Sequence, residues 1–196
     1  MVELDKLIVR KFGIKYTKDN LPWMSSHTDR TTLAELFNEA GFKKGAEIGV
    51  RMGRYSKILC EKIPGLELYS IDPWIAYGNK YTAERQKIYY QEALKNLAPF
   101  NAKIIRKSSM DALADFPDKS LDFVHIDGGH TFDNVAPDLI FWSKKVKKGG
   151  IVSLHDYYHF HMSGVVEAVD AYTKCHCINP WYVTKNLEPT AFWVNP

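Results

Sequence analysis

The 196-residue sequence has little of several features that would place it in a specialised class. Three cysteines are too few for the disulfide framework of a small secreted domain, so a reducing cytoplasmic setting is expected. No apolar run approaches the ~20 residues of a membrane-spanning helix, and the N-terminus lacks the apolar segment of a secretory signal. The net charge is only +3, with no concentrated basic block, so neither a membrane nor a nucleic acid is expected as a partner.

The hydropathy pattern indicates one α/β domain. From residue 31 onward, short apolar runs alternate with segments that have helical periodicity, which predicts a parallel sheet joined by right-handed crossovers, with helices on both faces. The last two predicted strands, 181–185 and 190–195, are too close together for a helix between them. We therefore expect seven strands, mostly parallel, with a C-terminal antiparallel hairpin at the edge. The predicted domain covers residues 31–196, and residues 1–30 form an N-terminal extension or lid.

A glycine-containing turn follows the first predicted strand of this domain, in the stretch GAEIGVRMGRYS (45–56). Here backbone N–H groups can approach a nucleotide-like ligand. A dinucleotide favours G-x-G-x-x-G, whereas Glu47, Gly49 and Gly53 give E-x-G-x-x-x-G, in which the acid suits a ligand with an amino group. The glycines alone are as typical of an ordinary tight turn. Asp72, at the end of the next strand, adds a carboxylate placed to bind both hydroxyls of a ribose.

Two later strands end in an acid with histidine close by. The first carries Asp127 and His130, and the second ends at His155 and Asp156. These groups bind metals or transfer protons, and ligands of open α/β sheets lie at the carboxyl ends of the strands.

Five motifs, taken together, resemble the class I S-adenosylmethionine-dependent methyltransferases, and among them the small-molecule O-methyltransferases with an IDG-x-H pattern. They are EIGVRMG, SID, SSMDAL, FVHIDGGHTFDNVAPDL and KKGGIVSLHDY, and the resemblance covers roughly residues 31–195. It implies a Rossmann-like sheet, S-adenosylmethionine as cofactor, and transfer of a methyl group to an oxygen of a small sugar, polyol or phenolic acceptor. It gives neither the identity of the acceptor nor the oligomeric state.

The resemblance also implies a cofactor site. Gly49 and Gly53 would line the methionine part of the cofactor with Glu47 near its amino group, and Asp72 would bind the ribose. Trp74 would cover the adenine and Ser109 and Met110 would flank its edge, although ordinary packing explains Trp74 and Met110 equally well. The complete predicted set is Glu47, Gly49, Arg51, Gly53, Asp72, Trp74, Ser109, Met110 and Asp127.

A divalent ion, Mg²⁺ or Mn²⁺, is implied at Asp127, His155 and Asp156. His155 stands where an acid or amide is expected, and imidazole is a poor Mg²⁺ ligand, so His155 either points away or favours Mn²⁺ or Zn²⁺. In an equally weighted metal-free alternative, Asp127 and Asp156 bind cofactor and acceptor by hydrogen bonds alone. His130 is the predicted catalytic base beside Asp127, because an imidazole pKa of ~6.5 suits proton removal near neutrality. Alternatively, His130 is a helix N-terminal histidine that only bonds a neighbour.

Two other functions remain open from the sequence. One is a nicotinamide-dependent oxidoreductase on a similar sheet, which the glycine spacing disfavours. The other is a metal-binding relative that does not methylate and resembles a hydroxylase. His27, Asp29 and Arg30 are assigned to a lid only because they precede the first helix of the predicted domain.

Overall fold

A computed structural model describes residues 3–14, 21–26 and 28–196. Within these ranges the chain forms one eight-stranded sheet with helices on both faces. The strands are β1 (Trp23–Met24), β2 (Lys44–Ile48), β3 (Glu67–Ile71), β4 (Ala102–Ile105), β5 (Leu121–Ile126), β6 (Val146–Leu154), β7 (Tyr182–Val183) and β8 (Ala191–Val194). The helices are α1 (Glu3–Lys11), α2 (Arg30–Glu39), α3 (Arg54–Lys62), α4 (Ala83–Leu97), α5 (Ser109–Ala112), α6 (Phe132–Lys145) and α7 (Val165–Cys175), with a 3₁₀ turn at Leu113–Asp115.

The predicted α/β sheet with a C-terminal antiparallel hairpin is confirmed. The strand order is β1-β7-β8-β6-β5-β2-β3-β4, and β8 is antiparallel to both β6 and β7, while the other neighbouring strands are parallel. The seven predicted strands are all present.

The prediction that the hairpin forms the edge of the sheet is wrong, because β1 lies outside it. The two-residue strand β1 pairs with β7 from outside, and its neighbour Ser25 donates from its backbone N–H to the Val183 carbonyl at 2.9 Å. This pairing satisfies backbone groups that an open edge would leave exposed. Helix α1 is the second element that the sequence pattern did not predict, and it buries Ile8 in the core.

The sheet separates two hydrophobic cores. Phe123 and Val124 are neighbours on β5 and point to opposite faces, as successive strand residues must. The Phe123 face is covered by α1, α2 and α3, and the Val124 face by α5, α6 and α7. Within the described ranges, no helix has both the length and the apolar character required to cross a membrane.

The strand order reverses between β2 and β5, which places the ligand crevice of the fold at their carboxyl ends. Here the two strand ends are locked together, because the Asp127 N–H donates to the Ile48 carbonyl at 2.7 Å. Gly49 and Asp127 are the first residues beyond β2 and β5, so the glycine turn and one acid–histidine strand end meet at the same point.

Candidate active site

A cavity of about 670 Å³ opens at the carboxyl ends of the central strands. Most of the residues predicted from the sequence line it, and only Gly53 and Trp74 of the predicted set do not. The predicted residues in the cavity wall are Glu47, Gly49, Arg51, Asp72, Ser109, Met110, Asp127, His130, His155 and Asp156.

Gly49 allows the two central strand ends to approach each other. Its φ is +88°, and a Cβ at this position would overlap the backbone of Asp127 and Gly128. Gly53 was expected to line the cofactor site, but it lies outside the cavity wall. It precedes α3 with φ +71° and packs against Ala93 of α4.

The carboxylate of Asp72 is occupied largely by backbone donors. Its Oδ2 accepts from the N–H groups of Val50 and Arg51 at 3.0 and 2.9 Å, and its Oδ1 accepts from the Trp74 N–H at 2.8 Å. A carboxylate has about four lone-pair sites, so most of the acceptor capacity of Asp72 is used in bracing the glycine turn.

Trp74 is turned away from the cavity. It has φ +44°, is buried against Tyr90, and donates from Nε1 to the Arg51 carbonyl at 2.7 Å. The tyrosines that line the cavity are Tyr55, Tyr77, Tyr81 and Tyr89. The Tyr77 and Tyr81 rings stack with centroids 4.5 Å apart.

Glu47 is a buried acid at the floor of the site. Its side chain accepts a hydrogen bond from the Ser56 hydroxyl, which lies 2.7 Å from the Ser70 hydroxyl. Burial raises the pKa of Glu47 to about 8, so the side chain is largely protonated at neutral pH in the absence of a ligand.

Ser109 also makes internal hydrogen bonds. Its hydroxyl donates to Asp138 and accepts from Trp142 Nε1 at 2.7 Å. Asp138 is itself buried in the cavity wall, and this burial raises its pKa to about 6. Met110, beside Ser109, is 42% exposed and lies at the rim.

Two carboxylates and two imidazoles converge at the ends of β5 and β6. His130 Nε2 lies 2.9 Å from Asp156 Oδ2 and 3.8 Å from Asp127 Oδ1. His155 Nδ1 lies 3.1 Å from Asp156 Oδ1 and 3.4 Å from Asp127 Oδ1. We call these four residues the acid–histidine cluster. Attraction between the carboxylates and the imidazoles, when these are protonated, favours the short distances among the four side chains.

The cluster shifts the titration of its members. The carboxylates of Asp127 and Asp156 raise the pKa of His130 to about 9. The same two groups raise the pKa of His155 to about 9 against the opposing effect of its burial. Burial raises the pKa of the Asp127 and Asp156 carboxyls, but His130 and His155 lower it more, so both pKa values lie below the usual range. Without a bound cation, His130 is therefore protonated near neutrality and is not poised to accept a proton.

Two histidine nitrogens of the cluster are not hydrogen-bonded within the described residues. Among the described residues, buried His130 Nε2 and His155 Nδ1 have no hydrogen-bond partner, because neither N–H points at the carboxylate beside it. Buried polar atoms of this kind need an explanation, and a bound ion is one. Ligand atoms of Asp127, His130 and Asp156 all lie within 4.8 Å of one another, and His155, Asp156 and Glu188 form an overlapping group. This mixed nitrogen and oxygen donor set fits a divalent transition metal better than Mg²⁺.

Next to the cluster, Arg30 adds a cation to the cavity wall. Its Nη1 donates to Asp127 Oδ2 at 3.0 Å, on the opposite side of the carboxylate from the histidines. Asp29 has no place in the site, since it caps α2 by accepting from the N–H groups of Thr31 and Thr32. His27, the third residue assigned to a lid, lies outside the described residues.

Several cavity residues were not predicted from the sequence. Glu188 and the tyrosines 77, 81 and 89 come from a loop, a short bridged turn and one helix, and nothing in their spacing marks them. Asp138 had a usable signal: it lies at helical spacing with the buried Val135, Leu139 and Trp142, so an acid faces the core.

The chain matches a family of proteins described as a methyltransferase domain over residues 46–157, more than half of its length. It therefore belongs to this family, and the predicted class, a class I S-adenosylmethionine-dependent methyltransferase, is confirmed. An uncharacterized protein of Acanthamoeba polyphaga mimivirus, R132, is 26% identical over 157 residues, which cover 76% of this chain and 68% of the viral protein. An uncharacterized protein of Sinorhizobium fredii, y4gI, is 26% identical over 116 residues, which cover 56% of this chain but only 12% of the rhizobial protein.

Solved structures with the same fold include O-methyltransferases and a protein named as an rRNA methylase. The Bacillus cereus O-methyltransferase in complex with S-adenosylhomocysteine has a TM-score of 0.62 at 13% identity, with 97% of this chain and 90% of that chain covered. The Streptomyces achromogenes O-methyltransferase TomG in complex with S-adenosylmethionine has a TM-score of 0.59 at 14% identity, with both chains fully covered. A proposed rRNA methylase of Clostridium thermocellum has a TM-score of 0.63 at 10% identity, with 88% of this chain and 100% of that chain covered.

Proposed function

We propose that this protein transfers the methyl group of S-adenosylmethionine to an oxygen atom of a small sugar, polyol or phenolic acceptor, with a divalent ion in the acid–histidine cluster. The observation that carries the proposal is the meeting of two features in one cavity. The glycine turn after β2 supplies a close backbone approach, and Asp127, immediately beyond β5, begins the cluster. A small molecule is preferred over a nucleic acid because the sequence has no concentrated basic block.

In this proposal the glycine-turn side of the cavity holds the cofactor. Gly49 and Arg51 lie against its methionine part, Glu47 faces its amino group, and Ser109 and Met110 flank the adenine. Asp72 contributes to ribose binding with its one remaining acceptor position and, more importantly, by keeping the turn in shape. When bound, S-adenosylmethionine supplies an electrophilic methyl group, so the protein contributes mainly by positioning and by excluding water.

The acid–histidine cluster holds the metal and handles the acceptor proton. Asp127 and Asp156 are the proposed oxygen ligands, and His155 would add a nitrogen, for which Mn²⁺ is the better candidate than Mg²⁺. A divalent ion supplies positive charge that favours an ionised acceptor hydroxyl and disfavours imidazolium nearby. His130, in its neutral form, is the proposed base for the acceptor proton. Of the described residues up to position 30, Arg30 lines the cavity.

A screen for S-adenosylhomocysteine release tests the proposed function. Catechols, sugars and polyols would be incubated with the protein and S-adenosylmethionine, in the presence of Mn²⁺, Mg²⁺ or EDTA. We expect product from at least one acceptor class, with more in Mn²⁺ than in EDTA. Failure of the protein to bind S-adenosylmethionine, together with a saturable fluorescence response to NADH, would replace this proposal with the oxidoreductase alternative.

A further inference from the structure

Arg30 has unused hydrogen-bonding capacity inside the cavity. It is the first residue of α2, its side chain is 31% exposed, and among the described residues it donates one side-chain hydrogen bond, to Asp127. A guanidinium group has five N–H donors, so about four of them lack an acceptor among these residues. A cation in this state matches an anionic ligand, and its planar fork matches a carboxylate in particular.

The position of this cation is fixed by its support. The Arg30 guanidinium carbon lies 5.2 Å from the centroid of the buried Tyr55 ring, within the range of a cation–π contact. The Tyr55 hydroxyl in turn donates to the Arg30 carbonyl at 3.0 Å. Tyr55 therefore holds both ends of Arg30, and a ligand would meet a preorganised donor group.

The neighbours of Arg30 indicate which carboxylate fits. Arg30 and Glu47 line the same cavity, and the Arg30 guanidinium contacts Asp127. A cation and an acid that flank the glycine turn are complementary to the carboxylate and ammonium of an amino-acid group. Arg51, another cation in the cavity wall, lies 5.1 Å over the Tyr89 ring and is turned toward that residue.

We propose that Arg30 binds the α-carboxylate of the methionine part of the cofactor. This inference rests on the proposed function, because it presupposes that the cavity takes S-adenosylmethionine. A carboxylate on an acidic acceptor has the same chemistry, so the experiment has to separate the two sources.

The test compares two ligands that differ only in the carboxylate. Isothermal titration would measure binding of S-adenosylhomocysteine and of decarboxylated S-adenosylhomocysteine to the wild type, Arg30→Met and Arg30→Lys. Arg10→Met is the matched control, because Arg10 is an exposed arginine on α1, outside the cavity. We expect Arg30→Met to bind S-adenosylhomocysteine about 10- to 100-fold more weakly and the decarboxylated ligand as the wild type does. The S-adenosylhomocysteine affinity of Arg30→Lys should lie between those of the wild type and Arg30→Met, because lysine keeps the charge but lacks the planar fork of donors. Arg10→Met should have the wild-type affinity.

Three results would overturn this assignment. Equal weakening of both ligands in Arg30→Met would make Arg30 a structural support of Asp127. Unchanged binding of both ligands would remove Arg30 from the cofactor site. Unchanged cofactor binding with weaker binding of dihydroxybenzoate relative to catechol would assign the carboxylate to the acceptor. A wild-type protein that binds neither nucleoside ligand would instead refute the proposed function itself. Thermal unfolding of each variant checks that it is folded.

Discussion

The two halves of the cavity differ in how their polar groups are satisfied. In the glycine-turn half, Asp72 is bonded to three backbone N–H groups, Ser109 to Asp138 and Trp142, and Glu47 to Ser56. In the acid–histidine cluster, two buried imidazole nitrogens have no hydrogen-bond partner in the described part of the chain, although carboxylate oxygens lie within 3.1 Å. Among the described residues, the polar groups named in the first half are bonded within the protein, whereas the second half leaves two nitrogens for which we propose a bound ion as partner.

This difference separates two ways of recognising a ligand. A half whose side chains are already hydrogen-bonded recognises a ligand by its shape and by the few backbone groups that remain free. Substitutions there are therefore expected to change protein stability first. A half with concentrated, incompletely paired charge is suited to binding an ion or a reacting group. Substitutions there are therefore expected to change metal affinity or turnover. Each of the following predictions tests this contrast.

The largest effect is expected for His130→Ala. Loss of the proposed base should lower turnover by about 10²–10⁴ while S-adenosylhomocysteine affinity stays near the wild-type value. The measurement is steady-state release of S-adenosylhomocysteine with an acceptor found in the screen. His176→Ala is the control, since His176 is exposed at the end of α7 and stacks on Tyr172. Wild-type turnover in His130→Ala would remove His130 from the chemistry.

A pH-dependent effect on stability is expected for Glu47→Gln. Between 4.5 and the raised value of about 8, folded Glu47 holds a proton that the unfolded chain has released. The wild-type free energy of unfolding therefore decreases as the pH rises through this window, by a few kcal/mol at most. Glutamine does not titrate, so the variant should be close to the wild type near pH ~5 and more stable than it near pH ~9. Urea unfolding across this range gives the result, and a pH-independent difference would contradict it.

A smaller effect is expected for Asp72→Asn, in the absence of any ligand. The amide keeps one acceptor oxygen but cannot accept from all three backbone donors, so the free energy of unfolding should fall by about 1–3 kcal/mol. Cofactor affinity should fall with it. Asp133→Asn is the control, because Asp133 is an exposed acid in the same cavity wall. Unchanged stability with weaker cofactor binding would mean that Asp72 is only a ribose ligand.

The sequence pattern was sufficient for the order of the elements and for much of the cavity wall. Hydrophobic periodicity predicts strands and helices, and in a parallel sheet the residues just beyond the strands must share one edge, which brings Gly49, Asp127 and Asp156 together. The pattern was insufficient for β1, because a two-residue strand has no periodicity. It was also insufficient for Trp74, whose direction depends on a left-handed backbone conformation that no neighbouring residue signals.

The individual roles within the cavity depend on hydrogen-bond partners, which sequence spacing does not give. Asp72 and Asp127 both follow strands and look equivalent in the sequence. The structure pairs Asp72 with backbone N–H groups, and Asp127 with Arg30 and the histidines. Residues on loops, such as Glu188, follow no period at all.

Metal binding by the wild type is the most direct test of the contrast between the two halves. Isothermal titration of Mn²⁺ and of Mg²⁺, with S-adenosylhomocysteine present, would be run on the wild type, Asp156→Asn and Asp118→Asn. Asp118 is an exposed acid outside the cavity and serves as the control. We predict a single Mn²⁺ site per chain that is tighter than the Mg²⁺ site, at least about tenfold weaker in Asp156→Asn and unchanged in Asp118→Asn. Absence of saturable Mn²⁺ binding to the wild type, or equal binding to Asp156→Asn, would contradict the account.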